Sequence, residues 1–310
     1  MLTYAPTTPI ERDDRPSYRP YEATVTAITK LTPHFTRVTF TGPDFATFGT
    51  DGFDQRIKIV FPLPGVGVAN LGLDGEWYTR WRELPHELRN PFRTYTIRAV
   101  RPEARELDVD FVAHGASADG TLGPAAGWLR RASVGDELVI VGPDARSINS
   151  ALGMDWHPGT ARQLLLVGDE TAAPAITAIL DQLGDDITAR AFIEVPTADD
   201  VLPTTGDVTW LFRDSGDGLE AAVRAWAAAE PEVLESAIAA QRQILEEIDV
   251  DKELLWDSPE SSPGEFYAWL AGESSVIKTL RRFLVSETGI DRKRVAFMGY
   301  WRLGKAEAQE

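Results

Sequence analysis

Cysteine is absent from this 310-residue chain. That single absence removes disulfides, thiolate zinc sites, cysteine-ligated iron–sulfur clusters and cysteine nucleophiles together. Histidine is scarce too: His34, His86, His114 and His157 lack the i, i+4 spacing of a helical metal pair, so no tightly held protein metal site is expected. No apolar run approaches the ~20 residues that a membrane-spanning helix requires. The opening residues, charged from Glu11 to Arg15, lack the apolar stretch of a signal peptide. A cytoplasmic protein without a membrane partner is therefore expected. Any redox chemistry has to run through an organic cofactor, since none of these side chains carries electrons.

Positive charge is also in short supply. Against 48 acidic residues stand 31 lysines and arginines, a net charge of −17 that argues against nucleic acid as a partner. Residues 1–158 carry 17 basic and 20 acidic side chains, whereas residues 159–310 carry 14 and 28. An anionic ligand therefore needs its own local cluster of cations. Hydrophobic content of 43% with 25% charged residues is that of a globular protein, and the length suits two domains.

Residues 1–20, rich in proline and charge, read as an extended segment. Short β-branched runs follow at Tyr21–Ile28, Phe35–Thr41, Arg56–Phe61, Thr94–Val100, Leu107–Val112 and Glu137–Val141. Without long intervening helices they predict an antiparallel β-barrel over residues 21–145. Residues 62–91, with Trp77, Tyr78 and Trp81, read either as a flap over a ligand or as an excursion packed on the barrel. An irregular linker is expected at 146–160. Strands and helices alternate over 161–310, which predicts an α/β domain with a parallel sheet. Its stretch 229–262 holds ten acidic residues and the apolar spacing Val233, Leu234, Ile238, Ile244, Leu245 and Ile248, and is expected to be an inserted acidic amphipathic helix or helical hairpin.

As a strand, Arg93-Thr94-Tyr95-Thr96-Ile97-Arg98 sends Arg93, Tyr95 and Ile97 to one face and Thr94, Thr96 and Arg98 to the other. Tyrosine stacks on aromatic rings, arginine clamps phosphates and threonine bonds ring nitrogens or hydroxyls, although the same hexapeptide also reads as an ordinary barrel strand. Phe111-Val112-Ala113-His114-Gly115 and Gly123-Pro124-Ala125-Ala126-Gly127-Trp128 follow. Glycines before a helix start let backbone N–H groups face a phosphate. Further on, Leu164–Val167 is an apolar strand that runs into Gly168-Asp169-Glu170-Thr171, the switch-point position at which open α/β sheets bind nucleotides. The same two carboxylates also suit helix capping. Glu194, ending the next strand, is placed for the ribose hydroxyls of a nicotinamide nucleotide, and Arg213 for a 2′-phosphate.

With these segments in this order, together with Ala271-Gly272-Glu273-Ser274 and Gly299-Tyr300-Trp301-Arg302, the chain resembles the siderophore-interacting protein family over nearly its whole length. These are FAD-dependent ferric-siderophore reductases of the ferredoxin-reductase-like superfamily. The resemblance implies an antiparallel β-barrel FAD-binding domain followed by an α/β NAD(P)-binding-like domain. It implies Arg93 on the FAD pyrophosphate, Tyr95 against the ring system and Thr96 near flavin N5, the one candidate for a catalytic role. Thr94, Asp110, Phe111, Val112, His114, Gly115, Gly123, Pro124, Ala125 and Trp128 complete that cofactor site. Gly168, Asp169, Glu170, Thr171, Glu194, Gly272 and Glu273 fall to the nucleotide side, with Tyr300 or Trp301 as a cap on the flavin. Arg56, Lys58, Arg302 and Lys305 are candidates for binding an anionic ferric siderophore. The donor implied is NADH, NADPH or a ferredoxin-type protein. A flavin reductase serving another acceptor and a non-catalytic siderophore-binding module are the competing readings.

Overall fold

The computed structural model describes residues 10–49, 51–113, 122–241, 243–250 and 252–304. Two units divide between Met154 and Asp155. The first is built on strands β1 (Tyr18–Lys30), β2 (Phe35–Thr41), β3 (Arg56–Val60), β4 (Phe92–Thr96), β5 (Ala99–Arg101), β6 (Glu106–Val112) and β7 (Glu137–Pro143). They form one antiparallel half-barrel sheet in the order β4-β3-β7-β1-β2-β6-β5. Period-two alternation fills its interior: Val38, Phe40, Ile57, Ile59, Phe111 and Ile140 point inward with Tyr21, Phe45 and Phe48. Trp128, on the short helix α2 (Pro124–Leu129), packs among Phe40, Phe61 and Phe111.

The expected strand Thr94–Val100 is two strands. The Ile97 N–H donates to the Gln55 carbonyl at 3.0 Å, and the next one, of Arg98, donates to Asp108 at 3.0 Å. At that step the chain leaves β3 for β6, a change of partner set by distant residues. The 62–91 excursion contains a helix, α1 (Trp77–Glu83). Trp77 and Trp81 lie with Leu71 and Phe92 over Val60, Val139 and Val141, forming a second, smaller core on the outer face of the sheet. Asn90 anchors the return, donating to Phe61 and Gly67 carbonyls at 2.9 and 2.8 Å.

The second unit follows a β-α rhythm: β8 (Gln163–Gly168), α3 (Ala173–Leu180), β9 (Thr188–Val195), β10 (Asp207–Phe212), α4 (Leu219–Ala229), α5 (Pro231–Glu235), β11 (Trp256–Asp257), β12 (Phe266–Glu273), α6 (Ser274–Arg281) and β13 (Val295–Trp301). Past Arg281, α6 widens into a π-helical turn, Arg282–Glu287. The sheet order is β10-β9-β8-β12-β13-β11, parallel except for β11. Leu164, Leu165, Leu166 and Val167 of β8 are all buried, as a strand covered on both faces must be.

Residues 229–262 depart from the expected helical hairpin. Only Pro231–Glu235 is helical after α4, and the described residues from Ser236 to Leu255 run as an irregular strap. Basic side chains from the neighbouring elements take hold of its carbonyls: Lys278 at Ile248 (2.6 Å), Arg294 at Ser236 (2.8 Å) and Arg302 at Glu253. Apolar residues at helical spacing serve an extended chain as well when backbone acceptors are satisfied from outside. Leu255 is fully buried, and Leu245, Ile248 and Val250 pack against the same core. Replacing Leu255 with Ala is expected to cost about 2–5 kcal/mol of stability in urea unfolding. A loss below about 0.5 kcal/mol, the size of a surface change, would show that the strap is not part of the core.

Candidate functional site

Two groups of predicted residues come together, one in each unit. In the first, register aligns Arg56 with Thr96, Ile57 with Tyr95, Lys58 with Thr94 and Ile59 with Arg93. Paired residues share a face, so Arg56, Lys58, Thr94 and Thr96 line one side of the β3–β4 ribbon while Arg93 and Tyr95 line the other. Among the described residues β4 is the edge of its sheet, paired on one side with β3. Tyr95 is half-buried, its ring backed by Phe111 with centroids 4.5 Å apart. Thr94 is exposed, Thr96 is buried, and the half-buried Arg93 donates to the Phe92 carbonyl at 2.7 Å. The Lys58 ammonium lies 4.9 Å from the Phe92 ring centroid, and Arg56 donates to Gly153 at 3.3 Å.

Asp110, Phe111 and Val112 divide by role. The buried Asp110 carboxylate accepts from Arg37 at 2.7 and 2.8 Å, with Arg98 at 3.8 Å. Phe111 and Trp128 are core residues, and Val112 is half-buried at the strand end. At Gly123, ahead of Pro124 and Ala125, an added Cβ would meet nothing within 4 Å among the described residues. His114, Gly115 and Lys305 lie outside the described residues.

These residues fit a flavin dinucleotide. Tyr95 offers a supported aromatic face, the threonines offer hydroxyls on the edge strand, and Arg93 offers a cation.

In the second unit the sheet order reverses between β8 and β12, and the loops leaving their C-terminal ends meet there. Asp169 joins them. Its Oδ1 accepts from the Thr171 amide (2.9 Å) and hydroxyl (2.5 Å), while Oδ2 accepts from the Glu273 amide (2.7 Å) and the Trp301 indole (2.8 Å). Gly272 has φ +151°, and a Cβ there would come within 2.6 Å of Asp169 Oδ2. Gly168 is equally confined, since its Cβ would meet the Ala271 carbonyl at 2.6 Å. Glu273 caps α6, accepting from the Ser275 and Val276 amides at 2.7 and 3.2 Å, and receives Leu303 N–H at 3.2 Å. Ser274, the last residue of the Ala271–Ser274 motif, donates to the Trp301 carbonyl at 3.0 Å. A serine at a helix start is a common enough cap to carry no signal of that distant partner.

Tyr300 stacks on Trp256 at 5.8 Å and meets Trp269 edge-on, so its ring belongs to the packing beside β11. The buried Glu170 holds Arg213, whose guanidinium also reaches Glu194 at 2.8 Å.

A half-barrel with an aromatic-lined edge strand, followed by a mostly parallel sheet with a built switch point, is the ferredoxin-reductase-like fold. Residues 24–147 match the siderophore-interacting FAD-binding domain and residues 161–304 the siderophore-interacting protein family, and the chain belongs to that family. The ferric vibriobactin reductase ViuB of Vibrio cholerae is 31% identical over 277 residues, covering 87% of this chain and 85% of its own. The NADPH-dependent ferric-chelate reductase of Escherichia coli is 27% identical over 282 residues, covering 90% and 92%. Among solved structures, the siderophore-interacting protein SipS from Aeromonas hydrophila superposes with a TM-score of 0.62 at 28% identity, covering 94% of this chain and 95% of that one.

Burial, with the negative Glu170 beside it, pushes the Asp169 carboxyl up to about 6, against the pull of the Thr171 and Trp301 donors. The folded value lies above the unfolded one near 3.9. The native state thus holds this proton more tightly, and the stabilisation this confers is complete below about pH 4 and is lost as pH rises through 6. Asp169→Asn, which does not titrate, is expected to remove that slope. Between pH 4 and 7 the wild type loses about 2 kcal/mol of unfolding free energy relative to the variant. Urea titrations across this range check it, and parallel pH profiles would contradict the shift.

Proposed function

We propose that this protein is a cytoplasmic FAD-dependent reductase of ferric siderophores that draws on a nicotinamide nucleotide. The carrying observation is the β3–β4 ribbon, whose one face bears the ring-supporting Tyr95 with Arg93 while the other bears Arg56 and Lys58 with Thr94 and Thr96. When bound, FAD supplies the conversion between the two-electron chemistry of a nicotinamide and the one-electron reduction of Fe(III), so that one hydride serves two ferric ions. Family membership and the named activities of the V. cholerae and E. coli relatives support this reading.

Each side chain has a physical task. Tyr95 supports the ring through a stack made rigid by Phe111, and Arg93 offers its planar fork to the pyrophosphate. The Thr96 hydroxyl, buried at the end of β4, would be the group that hydrogen-bonds the reacting edge of a bound flavin and orients it. Arg56 and Lys58 attract an anionic ferric chelate that the net charge of the chain would otherwise repel. Fe(III), the substrate, is held by hard oxygen ligands, and its reduction to Fe(II) loosens that hold. Gly168, Thr171 and Gly272 border the nucleotide site through their backbone, while Asp169 and Glu273 keep that border in shape.

Thr96→Val is expected to slow nucleotide-driven flavin reduction about tenfold, the loss of one hydrogen bond, while FAD stays bound. Stopped-flow absorbance under anaerobic conditions reads this, and loss of FAD instead would make Thr96 a structural residue. Lys58→Ala is expected to raise KM for an anionic ferric siderophore severalfold and leave flavin reduction unchanged. An unchanged KM would remove Lys58 from the binding wall.

A further inference from the structure

Glu170, Glu194 and Arg213 form an ionic cluster at the C-terminal ends of β8, β9 and β10. Arg213 Nε donates to Glu194 Oε1 at 2.8 Å, and its Nη1 and Nη2 donate to the two oxygens of Glu170 at 3.1 and 2.5 Å. The Glu170 side chain is 3% exposed, that of Glu194 16% and that of Arg213 44%. The guanidinium is thus pinned by two carboxylates, which also push its pKa further upward. The loops that continue from β9 and β10 add Asp199, Asp200, Asp214 and Asp217, and residues 196–206 and 213–218 hold no other lysine or arginine than Arg213.

In a doubly wound sheet, an acidic residue at the end of the second strand is placed for the ribose hydroxyls of the adenosine half. Glu194 holds that place, at the end of β9 beside β8. NADH and NADPH differ at that ribose, where NADPH carries a 2′-phosphate of about −1.5 to −2 charge. One guanidinium already neutralised by two carboxylates, on loops that also expose Asp199, Asp214 and Asp217, does not balance such a group. We infer that this cluster makes the site selective for NADH over NADPH, with Glu194 accepting from the ribose hydroxyls and Arg213 acting as a positioning residue for Glu194, not as a phosphate clamp. The inference rests on the reading that a nicotinamide nucleotide is the donor, and it sets this chain apart from the E. coli relative named for NADPH.

Calorimetric titration of the full-length, FAD-loaded protein with ADP-ribose and with 2′-phospho-ADP-ribose tests it without turnover. ADP-ribose is expected to bind about tenfold more tightly or better, and the gap is expected to narrow as salt is raised from about 0.05 to 0.5 M, because like-charge repulsion is screened. Glu194→Gln is expected to weaken ADP-ribose several-fold and to close most of the gap. Asp214→Asn, an exposed loop change that spares the cluster, is expected to narrow the gap about twofold should the first variant fold poorly. Equal or tighter binding of the 2′-phosphorylated ligand would overturn the NADH preference alone. If neither ligand binds at about 1 mM, the nicotinamide reading falls with it.

Discussion

Asp169 accepts hydrogen bonds from Thr171, Glu273 and Trp301 while shielded from water, and through it the ends of β8, β12 and β13 share one anchor. A buried acceptor serving several donors is costly to remove, since each N–H left behind has lost both water and partner. That explains why glycine stands at 168 and 272: the carboxylate and the neighbouring carbonyl occupy the space where a Cβ would go. The motifs around 169, 273 and 301 are therefore one structural unit. Two carboxylates at a nucleotide-type turn look ill suited to an anionic ligand until their partners are seen. Asp169 is buried and bonded within the domain, and the Glu273 carboxylate is taken up in capping α6.

The first unit depends on a different constraint, an edge strand left open. Among the described residues β4 pairs only with β3, and behind it Tyr95 rests on Phe111, which rests on Trp128. An unpaired strand edge is a liability in an ordinary barrel. Here it carries the hydroxyls, ring and cation that suit FAD. The outer face of the same ribbon is apolar near Phe92 and Trp81 and basic at Arg56 and Lys58, so the hydroxyls of Thr94 and Thr96 share a face with those two cations while Arg93 and Tyr95 lie on the other.

Much of this was legible from residue order. Alternation in Arg56–Val60 and Phe92–Thr96 assigned the faces correctly, because period two is enforced locally by the pleat. The apolar run of β8 and the helix after Gly218 were equally plain. What escaped notice depends on partners far along the chain. The break at Ile97 follows from the Asp108 carbonyl, and the strap after Glu235 is extended because Lys278, Arg294 and Arg302 hold its carbonyls. Tyr300, which with Trp301 was one of two candidate caps for the flavin, stacks on Trp256 of a two-residue strand too short to announce itself. Arg213 and Glu194 were separate alternatives for ribose and phosphate; the structure joins them in one ion pair.

The central claim, that this chain is a flavin-dependent ferric-siderophore reductase, is tested most directly by its visible spectrum. Protein loaded with FAD and desalted is recorded anaerobically, again after a nicotinamide nucleotide, and again after a ferric siderophore. The flavin band is expected to survive desalting, to bleach with the nucleotide and to return as the siderophore iron is reduced. A protein that keeps no flavin, or whose bleached flavin is not reoxidised by the ferric siderophore, would contradict the claim.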